Sequence, residues 1–311
     1  MVIDGTLRGL SGLGRMHPRA QPAAHGVEVL RDVPYRAAGR AFERLDVYRP
    51  IERRGLAPAV LYLHGGGFRI LSKDTHWMMG LAFARRGYVL FNVNYRLAPV
   101  HPFPAALEDA CAAYTWLAGH AAEYGADVSR LIVTGESAGA NLTAAVTLAA
   151  CYRRPEPWAQ AVWATGVVPR ATMPACGILQ VSDHERFRKR KKLKSFIADR
   201  IAETCESYIG ASDASAPGGL ELADPLVLLE RGAAPDRPLP PFFAGVGTRD
   251  PLLDDTRRLK AALERLGVPC EAHYYPGEIH AFEALVWRPQ ARRFWGHTFE
   301  FLEKHGLAAR A

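Results

Sequence analysis

The chain has 311 residues, 49% of them hydrophobic, and a formal net charge of +7 at pH 7. This length and apolar content suit one large α/β domain with a modest insertion. No apolar run reaches the ~18 residues that a transmembrane helix needs, so stable insertion into a membrane is not expected.

Strands alternate with helices along most of the chain. In order, the pattern predicts strands at Val27–Tyr35, Glu43–Tyr48 and Ala59–Leu63, a helix at about Thr75–Arg86, a strand at Val89–Asn94, a helix at about Ala105–Tyr124, a strand at Leu131–Thr134, a helix at Ala140–Ala150, a strand at Pro174–Val181, a strand at Phe242–Gly247, a helix ending at Gly267, a strand at Cys270–Tyr275 and a helix ending at His305. Such alternation predicts an α/β fold whose mostly parallel sheet is covered by helices on both faces.

The alternation breaks between residues 182 and 232, where a charged helix, a polar Gly/Pro stretch and a second short helix follow one another. We expect this insertion to form a small helical cap that shapes a pocket and limits the access of water. The catalytic domain is expected at 27–305, with a separate segment at 1–26 and a tail at 306–311.

A nucleophile elbow is predicted at Gly135-Glu136-Ser137-Ala138-Gly139, because this motif lies between a strand and a helix. The turn is too tight for a Cβ atom at its flanks, which explains the two glycines. It exposes the Ser137 hydroxyl beside the positive end of the following helix.

The strand at Ala59–Leu63 leads into His64-Gly65-Gly66-Gly67-Phe68. An ordinary glycine turn would explain this run on its own. Together with the downstream elbow, it is better interpreted as an oxyanion hole, in which the backbone N–H groups of Gly65, Gly66, Gly67 and Ala138 face a developing negative charge.

A serine nucleophile needs a base and an orienting acid, which follow in the chain order Ser, acid, His. Asp250 lies on the loop after the Phe242 strand, and His280 lies on the loop after the last strand. Asp254 is the rival acid, although it is also placed to cap the next helix. The other histidines precede Asp250 or fall within the last strand and the terminal helix.

These residues carry a resemblance to the hormone-sensitive-lipase-like group of α/β-hydrolases, also known as bacterial esterase family IV. It covers most of residues 27–305. The matching motifs are His64-Gly65-Gly66-Gly67-Phe68, Tyr95-Arg96-Leu97-Ala98-Pro99, His101-Pro102-Phe103-Pro104-Ala105 with Glu108-Asp109, Gly135 to Asn141, Asp250-Pro251-Leu252 with Asp254, and His280-Ala281-Phe282. The chain departs from the usual pattern at Asn94, Val100, Glu136, Ala140 and Ala281.

The resemblance implies an α/β-hydrolase fold, with segment 1–26 as part of the cap. It favours Gly66 and Gly67 within the glycine run as oxyanion donors, and it implies a homodimer through the last strand and helix as one assembly. It also implies hydrolysis of carboxylic esters by a Ser137–His280–Asp250 triad, with small-molecule esters of short to medium acyl chain length as substrates. Amide, formamide or acetyl-group hydrolysis on the same triad is the alternative. A non-catalytic binding protein is the third reading, against which all three filled triad positions argue.

Five cysteines without close paired spacing argue against a disulfide framework and a zinc site. No metal constellation or phosphate-binding loop is evident, so no cofactor and no metal are expected. The absence of a signal-peptide core in Met1–Ala24 and the odd number of cysteines predict a cytoplasmic protein.

The positive charge is concentrated between Arg186 and Lys194, which hold seven of the 39 basic residues. The other 32 balance the 32 acidic residues. We interpret the stripe as a solvated helix face, with attraction to an anionic membrane surface or to acidic substrates as the alternative. No aromatic platform accompanies it, so no nucleic-acid partner is expected.

Overall fold

A computed structural model describes residues 2–52, 55–189, 193–212 and 218–309. Within these residues eight strands form one sheet: β1 (Val27–Pro34), β2 (Arg44–Pro50), β3 (Ala57–Leu63), β4 (Val89–Val93), β5 (Ala126–Glu136), β6 (Ala171–Ala175), β7 (Phe242–Gly247) and β8 (Cys270–Tyr275). Their order across the sheet is β1-β2-β4-β3-β5-β6-β7-β8.

Strand β2 pairs antiparallel with β1 and β4, whereas all neighbours from β4 to β8 are parallel. The expected mostly parallel sheet is confirmed. Parallel neighbours need crossover connections, and the helices that alternate with the strands provide them.

The helices of the described residues are α1 (Val2–Met16), α2 (Trp77–Ala84), α3 (Ala105–His120), α4 (Ala138–Cys151), α5 (Pro157–Ala164), α6 (Glu185–Arg188), α7 (Ser195–Ile209), α8 (Pro225–Glu230), α9 (Leu253–Arg265) and α10 (Pro289–Lys304). They cover both faces of the sheet. On β3, Leu61 and Leu63 belong to one buried cluster with residues of α3, α4 and α9, while Val60 and Tyr62 belong to a second with residues of α2 and α10. Burial on both faces explains the continuous apolar runs of the central strands.

The strand expected at Pro174–Val181 is wrong beyond its first two residues, and β6 begins earlier, at Ala171. Strand β6 ends at Ala175, because the backbone of Cys176 turns into the left-handed region at φ 38°. Beyond it, the N–H of Leu179 bonds to the Asp255 carboxylate and the N–H of Val181 to that of Asp224. In this segment, carboxylate side chains accept the backbone N–H groups that a neighbouring strand would otherwise bind.

The segment before β1 begins with helix α1. Helix α1 lies against the residues after the glycine run, where Asp4 Oδ1 accepts from the N–H of Leu71 at 2.9 Å. The indole of Trp77 donates to Ser11 Oγ at 3.2 Å.

The basic stripe is solvated only in part. Arg186 on α6 forms an ion pair with the buried Asp255 at 2.8 Å, which ties the insertion to α9. Arg188 pairs with Asp199 at 3.1 Å. Residues 190–192 of the stripe lie outside the described residues.

The described part of the chain holds no helix with the length and apolar character to cross a bilayer. The five cysteines, all within the described residues, are free thiols, and four of them are buried.

Two helical glycines test the packing of the helices on the sheet. At Gly80 of α2, a Cβ atom would lie 2.5 Å from the ring of the buried Tyr48, whereas at Gly119 of α3 it would meet open space. Gly80→Ala should therefore lower the free energy of unfolding by about 1–3 kcal/mol through overpacking. Gly119→Ala should raise it by up to ~1 kcal/mol, because alanine favours the helix. Urea unfolding curves that show equal effects for both would contradict this packing.

Candidate active site

The loops that carry the predicted site residues all leave the same edge of the sheet. Strands β3, β5, β7 and β8 are parallel, so the loops that follow their carboxyl ends lie side by side. Ser137 directly follows β5, whereas Asp250 and His280 lie on the loops after β7 and β8. The structure brings all three side chains together.

His280 bonds to both of the other residues. Its Nδ1 lies 2.9 Å from Asp250 Oδ2, and its Nε2 lies 2.9 Å from Ser137 Oγ. A carboxylate only accepts hydrogen bonds, so Nδ1 carries a proton. In the neutral ring, Nε2 is then the acceptor for the hydroxyl proton of Ser137. The arrangement can remove a proton from Ser137 without any further group.

Two influences oppose each other at the imidazole of His280. Burial lowers its pKa, but the charge and hydrogen bond of Asp250, together with the charges of Glu283 and Glu136, outweigh burial and raise the pKa above the usual value. The imidazolium is thus stabilised in the place where a base would receive a proton.

The rival acid Asp254 lies elsewhere. It is the second residue of α9, and its Oδ1 accepts from Arg257 at 3.0 Å. It does not cap α9 either, because the helix begins after Leu252 and the N–H of Leu252 bonds to Asp250 Oδ1 at 2.8 Å. One carboxylate oxygen of Asp250 therefore accepts from the N–H of Leu252 at the start of α9, and the other oxygen accepts from His280.

The elbow has the strained geometry that its motif predicts. Ser137 has φ 57° and ψ −116°, a conformation that few non-glycine residues adopt. A Cβ atom on Gly135 or on Gly139 would overlap the carbonyl oxygen of Leu63 at the end of β3. The flanking glycines thus allow the elbow to press against the neighbouring strand.

The glycine run divides into two parts. The N–H of Gly65 donates to Glu136 Oε1 at 2.6 Å, so this N–H is engaged away from the nucleophile. Including Gly65 among the expected oxyanion donors therefore needs correction. All three glycines line the cavity that contains Ser137, but only Gly66 and Gly67 have positive φ values, of 112° and 59°.

Motifs behind the glycine run hold it in place. The Tyr95 hydroxyl donates to the carbonyl of His64 at 2.6 Å. Arg96 pairs with Asp109 at 2.8 Å and with Glu108 at 2.7 Å, which fixes the loop after β4 on α3. Asn94, one of the departures, accepts from the N–H of Lys73 at 2.8 Å, so an amide supports this loop here.

Sequence reasoning missed a buried polar cluster beside the nucleophile. Glu136 accepts from Tyr62 and forms an ion pair with His76 at 2.8 Å. Glu283 lies nearby, and burial, followed by the charge of Glu136, raises the pKa of Glu283 to about 7. In the sequence, His76 precedes Asp250 and Glu136 is a departure from the family pattern, so neither residue stands out as functional. A charged residue at the end of β5, directly before Ser137, is the available signal.

A cavity of about 590 Å³ opens over Ser137 and His280. Its walls are mostly apolar, with Ile197, Ile201 and Thr204 contributed by α7 and Ile178 and Ile279 by the loops. Such a volume suits a small organic molecule.

One group of potential metal ligands occurs among the described residues, formed by Cys176, Asp250 and His280 within 4.8 Å of one another. Asp250 and His280 already bond to each other in it. The group therefore coincides with the Ser137 site and gives no separate centre.

Comparison with known proteins agrees with this geometry. The profile of the α/β hydrolase fold family matches residues 60–284. Carboxylesterase NlhH of Mycobacterium tuberculosis is 32% identical over 269 residues, which are 85% of this chain and 75% of that protein. Esterase LipI of the same species is 33% identical over 229 residues, 73% of this chain and 66% of that protein. The crystal structure of esterase LipW from Mycobacterium marinum has a TM-score of 0.72 at 28% identity, covering 96% of this chain and 89% of that chain.

The family profile spans more than half of the chain, and NlhH aligns with most of both proteins. The resemblance expected from the motifs is confirmed. The chain belongs to the hormone-sensitive-lipase-like group of carboxylesterases with the α/β hydrolase fold.

Proposed function

We propose that this carboxylesterase cleaves esters of short to medium acyl chains with Ser137 as nucleophile, His280 as base and Asp250 as orienting acid. The observation that carries the proposal is the continuous pair of 2.9 Å contacts from Ser137 through His280 to Asp250. Esterase activity among the relatives supports the same chemistry.

In the first half-reaction, His280 Nε2 takes the hydroxyl proton while Ser137 Oγ attacks the acyl carbon. Asp250 keeps the proton on Nδ1 and stabilises the imidazolium. The carbonyl oxygen becomes negative, and the N–H groups of Gly66, Gly67 and Ala138 are the donors that we assign to it. His280 then protonates the leaving alcohol as the carbon–oxygen bond breaks.

In the second half-reaction, water replaces the alcohol beside His280. The imidazole removes a proton from this water, which attacks the acyl-enzyme. The proton then passes to Ser137 Oγ, which leaves as the carboxylic acid is released. All the groups that this cycle requires belong to the protein or to the substrates.

We also propose that α1 and the insertion at 182–232 form the cap over this site. Support comes from the cavity wall, to which α7 contributes Ile197, Ile201 and Thr204. Helix α1 contacts the residues that follow the glycine run at Leu71 and Trp77. An apolar wall of this size favours acyl chains of limited length.

Assembly and location are further proposals. Strand β8 is an edge of the sheet among the described residues, and Tyr274 on it is partly exposed. Since unpaired strand edges readily accept a partner, we propose a homodimer through β8 and α10. The free thiols favour the cytoplasm.

Removal of the nucleophile is the direct test. Ser137→Ala should lower kcat for a p-nitrophenyl butyrate by on the order of 10³-fold or more. A fluorophosphonate probe should label the wild-type protein at Ser137 and should leave the variant unlabelled. An undiminished rate in Ser137→Ala would remove the serine from the mechanism.

Variants of Asp250 and Asp254 test which of the two aspartates is the orienting acid. Asp250→Asn should lower kcat by on the order of 10⁴-fold, because the imidazole loses the partner that fixes its tautomer. Asp254→Asn removes the same charge one helical turn later and should leave kcat within about twofold. Steady-state kinetics on both variants make the comparison, and a larger loss in Asp254→Asn would reverse the assignment.

The wall of α7 should set the acyl length. Ile197→Trp fills part of the cavity, so the ratio of kcat/KM for p-nitrophenyl hexanoate to that for the acetate should fall by about 10-fold or more. Phe196→Trp is the matched control, because Phe196 lies on the same turn with its side chain exposed. An unchanged ratio in Ile197→Trp would separate α7 from substrate binding.

A further inference from the structure

The carboxylate of Glu136, the residue immediately before Ser137, is buried and accepts hydrogen bonds at both oxygens. The N–H of Gly65 and the imidazole of His76 lie 2.6 Å and 2.8 Å from Oε1, and the Tyr62 hydroxyl donates to Oε2. These donors come from β3, from the glycine run and from the residue that precedes α2. One side chain of the elbow thus joins three other parts of the site.

His76 faces acceptors at both ring nitrogens. Its Nε2 points to Glu136, while its Nδ1 lies 3.0 Å from the carbonyl oxygen of Ser72. The Thr75 hydroxyl donates to the same carbonyl at 2.7 Å, so Thr75 Oγ1, 2.9 Å from Nδ1, is also an acceptor for it. Two acceptors call for two ring protons, which is the imidazolium form.

The charges of the pair support each other. Burial lowers the pKa of His76, but the charge and hydrogen bond of Glu136 outweigh burial and raise that pKa above its usual value. Burial likewise raises the pKa of Glu136, and the charge and hydrogen bond of His76 reverse the effect and lower it. Both shifts favour the charged forms, and the two opposite charges cancel.

The contact with Gly65 holds the glycine run against the elbow. A Cβ atom on residue 65 would lie 2.7 Å from Glu136 Oε1, so the short N–H contact requires glycine there. Gly66 and Gly67 follow directly in the chain. Their positions relative to Ser137 therefore depend on a carboxylate that belongs to the residue next to Ser137.

An ionised carboxylate beside the nucleophile has an electrostatic disadvantage. Negative charge develops on the substrate oxygen close to Ser137, and an uncompensated Glu136 would oppose it. The cation of His76 balances the charge of Glu136 while leaving its hydrogen bond to Gly65 in place.

We propose that Glu136 and His76 are a charge-balanced positioning pair for the oxyanion hole, in which Glu136 holds the glycine run and His76 neutralises Glu136. The proposal rests on the proposed function of Ser137 as nucleophile. Both residues border the cavity over Ser137, but Glu136 bonds to Gly65, Tyr62 and His76, so we assign the pair a positioning role.

Other titratable groups face this pair and His280. Glu283 approaches from the residues after β8, Asp250 from the loop after β7, Cys176 from the end of β6, and Tyr62 from β3. The ring of His64 stacks on that of His76 with centroids 5.3 Å apart. Burial and the charge of Glu136 raise the pKa of Glu283 to about 7, so Glu283 titrates in the same pH range as a histidine. Glu283 is therefore kept unchanged in every variant.

The test compares His76→Gln, Glu136→Gln and the double variant by the pH dependence of kcat/KM for p-nitrophenyl butyrate. In His76→Gln, the uncompensated Glu136 raises the pKa of His280, so the acidic limb moves to higher pH. In Glu136→Gln, the loss of negative charge moves it to lower pH. The double variant should fall between the two. Each single variant should lower kcat by about 10- to 100-fold with a smaller effect on KM.

Glu136→Asp separates position from charge. The shorter side chain keeps the charge but withdraws from Gly65, so kcat should fall while the acidic limb moves less than in Glu136→Gln. His120→Gln, at the far end of α3, is the matched control. It should change neither kcat nor the pH of the acidic limb. Urea unfolding and fluorophosphonate labelling check that each variant is folded.

The proposed role of the pair is refuted if His76→Gln and Glu136→Gln, both folded and labelled by the probe, move the acidic limb of the pH profile in the same direction or not at all. It is also refuted if both retain the wild-type kcat. Failure of the probe to label wild-type Ser137 would instead refute the proposed function, so the two failures are distinguishable.

Discussion

The imidazole of His280 is the contact on which the site depends. It joins Ser137, 143 residues earlier in the chain, to Asp250, and each contact measures 2.9 Å. Hydrogen bonds of this kind are geometrically demanding, so three loops have to arrive within a few tenths of an ångström. The parallel sheet makes this arrangement possible, because it places the ends of β5, β7 and β8 at one edge and buries both of its faces.

The oxyanion hole has a different basis. It consists of backbone N–H groups, which have no side chain of their own to fix them. Phe68 stacks on Tyr208, Tyr95 holds His64, and Glu136 holds Gly65. The glycine run is thus fixed from several sides, although it lacks the regular hydrogen bonds of a strand or helix. This preorganisation is the state in which backbone donors stabilise charge most effectively.

The fold and the main site residues could be predicted from the sequence, because the motifs that indicate them are local. The elbow at Ser137 and the glycine run each lie within a few residues, and each follows a recognisable strand. The true extent of β6 could not be read in the same way, since Asp224 and Asp255 capture the backbone of the residues after Ala175 from distant parts of the chain. The partnership of Glu136 with His76 also joins residues 60 positions apart in the numbering. Isolated histidines and acids give no sign of such a contact.

The close approach of Gly65 to Glu136 has an evolutionary consequence. A methyl group at position 65 would lie 2.7 Å from Glu136 Oε1 and would displace this carboxylate, so the two positions are not free to drift independently. A descendant of this sequence that acquires a side chain at position 65 would have to move the Glu136 carboxylate away from Gly65, and would then need another group to hold the loop. The contact between positions 65 and 136 therefore limits which single substitutions this sequence can accept at either position.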